Sequence, residues 1–235
     1  MALAAISNQG AKGVMTQGVK MNRWLSCVLL LAMAVCASGT ANAANPVVEM
    51  HTTAGVIVLE LNQYMAPVTV ANFLSYVEKD GYAGTIFHRV IPGFMIQSGG
   101  HYEDFSELEG GEPIVNEADN GLKNKTGTIA MARIDVIDSS ERQFFINASN
   151  NAELDHSQRS CTRKDEAKVA AALERGLRRP QTCGSFGYAV FGRVTQGMDV
   201  VRKIERQPTR PKGMHQNVPV VAVVIEKVIL RETAS

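Results

Sequence analysis

Two hydrophobic periods alternate along this chain. Val47, Val48 and Met50, then Val56, Ile57, Val58, Leu59 and Leu61, flank the triplet Thr53-Ala54-Gly55. Apolar runs split by a small turn-forming triplet predict a β-hairpin over 47–61. From Pro67 the period lengthens. Val70, Phe73, Leu74 and Val77 recur at spacings of three and four, the period of one helix face, and Gly81 follows as a stop. Beyond it the pattern shortens again. Thr85 to Ile91 and Met95 to Ser98 read as strands around a Pro92-Gly93 bend. His101 to Lys125 is polar and rich in turn residues, which predicts a long loop. Strands are then expected over Thr128–Ala132, Gln143–Asn147 and Phe186–Val194. A second helix is expected over Met198–Glu205, with Val201 and Ile204 inward, and a closing strand over Val218–Leu230. Many short strands with two core-type helices predict a mainly β fold, a closed barrel with helices capping its ends. There is no internal repeat and no linker, so one domain is expected over 44–235.

One stretch breaks the pattern. From His156 to Ser185 the strand signal stops, and Lys164 to Arg179 looks helical, with Val169, Leu173 and Leu177 spaced by four and Pro180 as a terminator. Between Ser157 and Ser185 lie seven basic residues and three acids, a local charge of +4, with Cys161 and Cys183 near its ends. This predicts a helical loop insert, about 157–185, stapled at its base. It is either a basic flap that favours acidic segments or a decorative surface loop.

The N-terminus follows different rules. A basic stretch around Met21-Asn22-Arg23 precedes a nearly continuous apolar run from Leu25 to Ala37 and the small-residue site Ala41-Asn42-Ala43. These are the three parts of a secretory signal. The apolar run is short of the ~20 residues that span a bilayer. A buried or anchoring N-terminal helix is the alternative. Cleavage is expected after Ala43, so 1–43 is read as an extension plus cleavable signal, with Met15 or Met21 as alternative starts. The chain is then periplasmic, without stable membrane insertion.

Composition fits this picture. The apolar fraction of 45% and charged fraction of 20% permit a sizeable core. Removing 1–43 takes three basic residues and no acid, moving the net charge from +1 to −2. No polycation remains to recruit nucleic acid. Cys27 and Cys36 leave with the signal. Val35 before Cys36 lacks the small side chain of a lipid-modification site. Cys161 and Cys183 remain as an even number in an oxidising compartment, read as one disulfide, with two unpaired thiols as the alternative. Their spacing matches no zinc module.

The chemistry concentrates in Phe87-His88-Arg89-Val90-Ile91-Pro92-Gly93-Phe94-Met95-Ile96-Gln97. An arginine over large apolar groups is a poor core choice, because an unpaired buried charge is costly. It is a good site choice where a fixed donor is needed. There is no nucleophile–histidine arrangement, paired-carboxylate signature, P-loop or dinucleotide fingerprint.

From about Val47 to the C-terminus the sequence resembles the cyclophilin family. The resemblance runs through Thr85–Gln97, Gly127–Ala132, Gln143–Asn147, Leu154-Asp155-His156 and Phe186 to Gly192. Asn116-Glu117-Ala118-Asp119-Asn120-Gly121-Leu122 and Tyr188 are most similar to periplasmic isomerases of Gram-negative bacteria. The resemblance implies an eight-stranded antiparallel barrel capped by two helices, and a peptidyl-prolyl cis-trans isomerase acting as a monomer on proline-containing segments of exported proteins, without metal or cofactor. It implies that Phe94, Met95, Phe145 and Leu154 hold the proline ring, that Arg89 is catalytic, and that His88, Gln97 and Gln143 are polar groups around it. Ala132 contacts the peptide before the proline, and Tyr188 lies beside the pocket.

Three positions depart from the family pattern. Glu153 stands where many members carry an aromatic, which implies weakened inhibition by the macrocycle cyclosporin. Tyr188 replaces a frequent histidine, so no imidazole acts there. Arg133 replaces a frequent asparagine, and is either a determinant for acidic or polar substrate groups or a solvated rim charge.

Overall fold

The computed structural model describes residues 44–157, 174 and 183–231. The signal segment, most of the predicted insert helix and Cys161 lie outside the described residues. So therefore does the expected Cys161–Cys183 pairing.

The first hairpin forms as its pattern predicts: β1 (Val47–Thr52) pairs with β2 (Gly55–Leu61). Thr52 Oγ1 donates to the Gly55 carbonyl (2.7 Å) and accepts the Ala54 N–H (3.1 Å), which closes the turn. Helix α1 (Pro67–Val77) opens with its proline in the first turn, where a missing N–H costs nothing. The two N–H groups that follow, of Val68 and Thr69, donate to the Glu117 carboxylate (3.1 and 2.8 Å), an anion at the positive end of the helix. The remaining elements are β3 (Arg89–Ile91), β4 (Met95–Ser98), β5 (Thr128–Met131), β6 (Phe144–Asn147), β7 (Val190–Gln196), α2 (Met198–Glu205), β8 (Thr209–Lys212), β9 (His215–Pro219) and β10 (Ile225–Leu230).

Eight strands make one antiparallel sheet in the order β10-β1-β2-β7-β5-β6-β4-β3, while β8 and β9 form a separate hairpin. The sheet curls around a core of Met50, Ile57, Leu59, Leu61, Ile96, Ile129, Phe144 and Ile146, plugged by Phe73 of α1 and by Val201 and Ile204 of α2. Phe73 stands 5.0 Å from Tyr82, 5.7 Å from Phe144 and 5.3 Å from Phe191, ring centre to ring centre, so one helix residue joins three parts of the barrel wall.

The expected closed barrel is corrected. The edge strands β3 and β10 form no ladder with each other, and the result is a half-barrel. Its gap is crossed by a lone bridge, Ile86 to Val224, with the Phe87 N–H on the Val223 carbonyl (2.9 Å) and the Ile225 N–H on the Thr85 carbonyl (2.7 Å). The physical reason lies in the backbone donors of 220–224. Val220 donates to the Pro208 carbonyl, closing the β8–β9 ladder, and Val224 to Thr53 Oγ1, so neither bonds to β3. The predicted strand over Val218–Leu230 therefore splits between β9 and β10. Likewise 85–91 is strand only over Arg89–Ile91, and Gly184–Phe186 is a 3₁₀ turn, so β7 starts at Val190.

Candidate active site

Strand register builds the site. Arg89 of β3 faces Gln97 of β4, Gln97 faces Phe145 of β6, Phe145 faces Ala130 of β5, and Ala130 faces Val190 of β7. One row of side chains thus crosses five strands. Side chains alternate faces along each strand. Ile96, Ile146 and Ile129 enter the main core, while Met95, Phe145, Ala130 and Val190 form a second apolar cluster on the opposite face. Between β3 and β4 the chain bends at Pro92-Gly93. Gly93 takes φ +69°, a left-handed conformation that side chains disfavour, and the bend delivers Phe94 to the second cluster.

A cavity of about 380 Å³ opens over this row. Met95 and Phe145 belong to the buried cluster beneath it, and Phe94, Ala132, Leu154 and Tyr188 complete the apolar lining. Tyr188 packs edge-on against Phe145, 5.7 Å between centroids. Arg89 and Gln97 supply the polar side. Arg89 Nη1 donates to Gln97 Oε1 at 3.3 Å, and Gln97 Nε2 donates to Gln143 Oε1 at 2.9 Å. Gln143 therefore stands behind Gln97, outside the cavity lining. Among the described residues Arg89 has no carboxylate partner. Its remaining donors face a site whose other polar side chains are Gln97 and a second guanidinium, that of Arg133. A slightly larger cavity, about 440 Å³, lies around Lys123, Lys125 and Arg193 and holds none of the predicted site residues.

Two expectations change. His88 does not line the cavity. It is one residue out of phase with Arg89, and is 5% exposed in a separate cluster, 4.6 Å from His101, which is 4.8 Å from His215. Arg133 lines the cavity, but as a bonded side chain rather than a free one. Its Nε donates to the Gly187 carbonyl (2.9 Å), its Nη1 to Ile134 (2.9 Å) and its Nη2 to Cys183 (2.8 Å), and its guanidinium lies 4.8 Å over the Tyr188 ring. It is a clasp between the segment after β5 and the segment before β7. Neither Ala130 nor Val190 stands out in the sequence, although both pack with Met95 and Phe145 in the cluster beneath the pocket. Only the register against Phe145 marks them.

A model of the family described as cyclophilin type peptidyl-prolyl cis-trans isomerase matches residues 47–229. The chain belongs to this family. It is accordingly an enzyme, a peptidyl-prolyl cis-trans isomerase. Among its relatives, peptidyl-prolyl cis-trans isomerase A of Dickeya dadantii (strain 3937) is 46% identical over 177 residues, covering 75% of this chain and 80% of that one. Peptidyl-prolyl cis-trans isomerase B of Escherichia coli (strain K12) is 43% identical over 185 residues, covering 79% and 99%. The cyp18 isomerase of Streptomyces antibioticus is 48% identical over 179 residues, covering 76% and 95%. A crystal structure of a cyclophilin type isomerase from Cryptosporidium parvum shares the fold, with a TM-score of 0.58 at 21% identity, over 81% of this chain and 99% of that one.

The histidine cluster of this cyclophilin domain has a consequence for stability. Burial, aided by the His101 charge, pushes His88 down to about 3, and burial lowers His101 in the same direction. An unfolded histidine protonates near 6.5. Between these values the unfolded chain binds more protons than the folded one, so stability is lost as pH falls from about 6.5 towards 3. Thermal unfolding of His88→Gln, compared with the parent from pH 7 to pH 4, is expected to show a shallower loss. Equal slopes would mean that His88 is not held neutral by the fold.

Proposed function

We propose that Arg89 is the catalytic residue of this isomerase, and that Phe94, Met95, Phe145 and Leu154 clamp the substrate's proline ring. Rotation about an Xaa-Pro bond is slow because it breaks amide resonance, with a barrier of ~18–20 kcal/mol. No bond need be made or cut, so the site has only to bind the twisted amide better than the planar one. As the amide twists, the proline nitrogen pyramidalises and gains a localised lone pair. The Arg89 guanidinium donates a hydrogen bond to that lone pair, an interaction unavailable to the planar ground state. The observation that carries this reading is Arg89 at the edge of a largely apolar cavity with a neutral partner, Gln97, and no carboxylate partner among the described residues. Gln97, itself fixed by Gln143, holds the guanidinium in place, and Ala132 borders the peptide before the proline. A rate gain of ~10⁵ asks for roughly 7 kcal/mol of selective stabilisation, within reach of preorganised donors in a partly dry site.

The same reading extends to the setting. The basic, apolar and small-residue sequence from Met21 to Ala43 favours export, and the chain then acts in the periplasm as a monomer on proline-containing segments of folding exported proteins. A disulfide between Cys161 and Cys183 suits that oxidising compartment.

Arg89→Ala is expected to lower kcat/KM on a short Xaa-Pro peptide by roughly 10²–10³, the usual cost of removing one transition-state donor. Arg89→Lys recovers only part, because a point charge does not reproduce the planar fork. Activity unchanged in folded Arg89→Ala would overturn the assignment. For export, N-terminal sequencing of the chain recovered from the periplasm of its host is expected to begin at Ala44. Recovery of an intact N-terminus, or of cytoplasmic protein alone, would contradict it.

A further inference from the structure

Three asparagines are buried beside the pocket: Asn124 and Asn151 are 2% exposed and Asn147 is 0%. A buried amide that leaves either end unpaired costs folding free energy. These three pair with each other, head to tail. Asn151 Nδ2 donates to Asn147 Oδ1 (2.7 Å), and Asn147 Nδ2 donates to Asn124 Oδ1 (3.1 Å). The ends of this chain reach the main chain of the pocket walls. Asn151 Nδ2 also donates to the Phe94 carbonyl (2.9 Å), and Asn124 Nδ2 donates to the Leu154 carbonyl (3.1 Å). That same Leu154 carbonyl accepts the Tyr188 N–H at 3.0 Å. The middle amide is tied to the sheet, since Asn147 faces Met95 in the β4–β6 register and its Nδ2 donates to Thr128 Oγ1 of β5 (2.9 Å).

Phe94, Leu154 and Tyr188 need such a fastening. Phe94 sits in the bend before β4, Leu154 in a 3₁₀ turn and Tyr188 just before β7, so no strand ladder sets their spacing. We propose that Asn124, Asn147 and Asn151 are positioning residues, a relay of hydrogen bonds that sets the spacing of Phe94, Leu154 and Tyr188 and hence the tightness of the clamp on the proline ring. The proposal rests on the pocket assignment above. Each amide orients the next, because turning one forfeits a donor and an acceptor together, and linked amides polarise one another. Loosening one wall therefore loosens the wall at the other end. Arg89 is no part of the relay, so the loss falls on ring binding and leaves the rotation step alone.

The test uses the full chain with Phe and Leu side chains observed by NMR, and a short Xaa-Pro peptide as substrate. Adding peptide to the parent protein is expected to shift the Phe94 and Leu154 signals. If neither moves, the pocket assignment fails and the proposal falls with it. In the peptide-free protein, Asn124→Ala is expected to move the Phe94 ring signals although it removes nothing that touches Phe94, and Asn147→Ala to move the Leu154 methyls although no hydrogen bond joins Asn147 to Leu154. Each is expected to raise KM about tenfold, the scale of one hydrogen bond left unmade in a buried site, with kcat within about twofold. The double variant loses no more than the worse single. Should the alanine variants fail to fold, Asn147→Asp has nearly the same volume but cannot donate when ionised, and is expected to shift Leu154 in the same way. Signals that move only at the wall each residue touches, or losses that multiply in the double variant, would overturn the relay.

Discussion

The antiparallel register from β3 to β7 is the constraint on which the rest of the structure depends. It aligns Arg89, Gln97, Phe145, Ala130 and Val190 in one row, and strand alternation keeps that row off the face that fills the main core. A slip of one residue in any of these strands would exchange a pocket residue for a core residue. The sheet thus serves two apolar clusters at once. One face binds it to its helices, and the other presents an apolar depression with a cation at its rim.

Much of this was legible in the sequence, and the reasons differ by element. Helix α2 matches Met198–Glu205 because Val201 and Ile204 share one face and Gly197 precedes them with φ +88°. The first hairpin is equally plain, since Thr53-Ala54-Gly55 interrupts two apolar runs. The failure at barrel closure is instructive. Residues 218–230 are apolar enough for one long strand, but hydropathy does not say where a backbone N–H finds its acceptor. Val220 and Val224 spend theirs elsewhere. The β8–β9 hairpin escaped notice for the opposite reason, as Thr209–Lys212 is almost wholly exposed and has no apolar face to announce it.

At the site, the pocket residues and Gln143 behind them were reachable by family resemblance, while the other supports were not. His88 is adjacent to Arg89 in sequence and therefore on the other side of the strand, a simple consequence of alternation that resemblance alone obscures. Arg133 shows the limit of reading charge from sequence. A guanidinium at a pocket rim reads as a free donor, yet this one lines the cavity while bound to the carbonyls of Gly187 and Cys183, some fifty residues away. The buried asparagines left a faint trace, a polar residue ending the apolar run Phe144–Asn147, but only the fold shows where their amides point.

The central claim is geometric: the proline ring lies in the depression between Phe94, Met95, Phe145 and Leu154, with the Arg89 guanidinium beside the prolyl nitrogen. A crystal structure of the protein with a bound Xaa-Pro peptide tests it most directly. The account predicts the ring seated on Phe145 and an Arg89 nitrogen within hydrogen-bond reach of the prolyl amide. A peptide bound with its proline elsewhere, for example in the larger cavity around Lys123, Lys125 and Arg193, would contradict it.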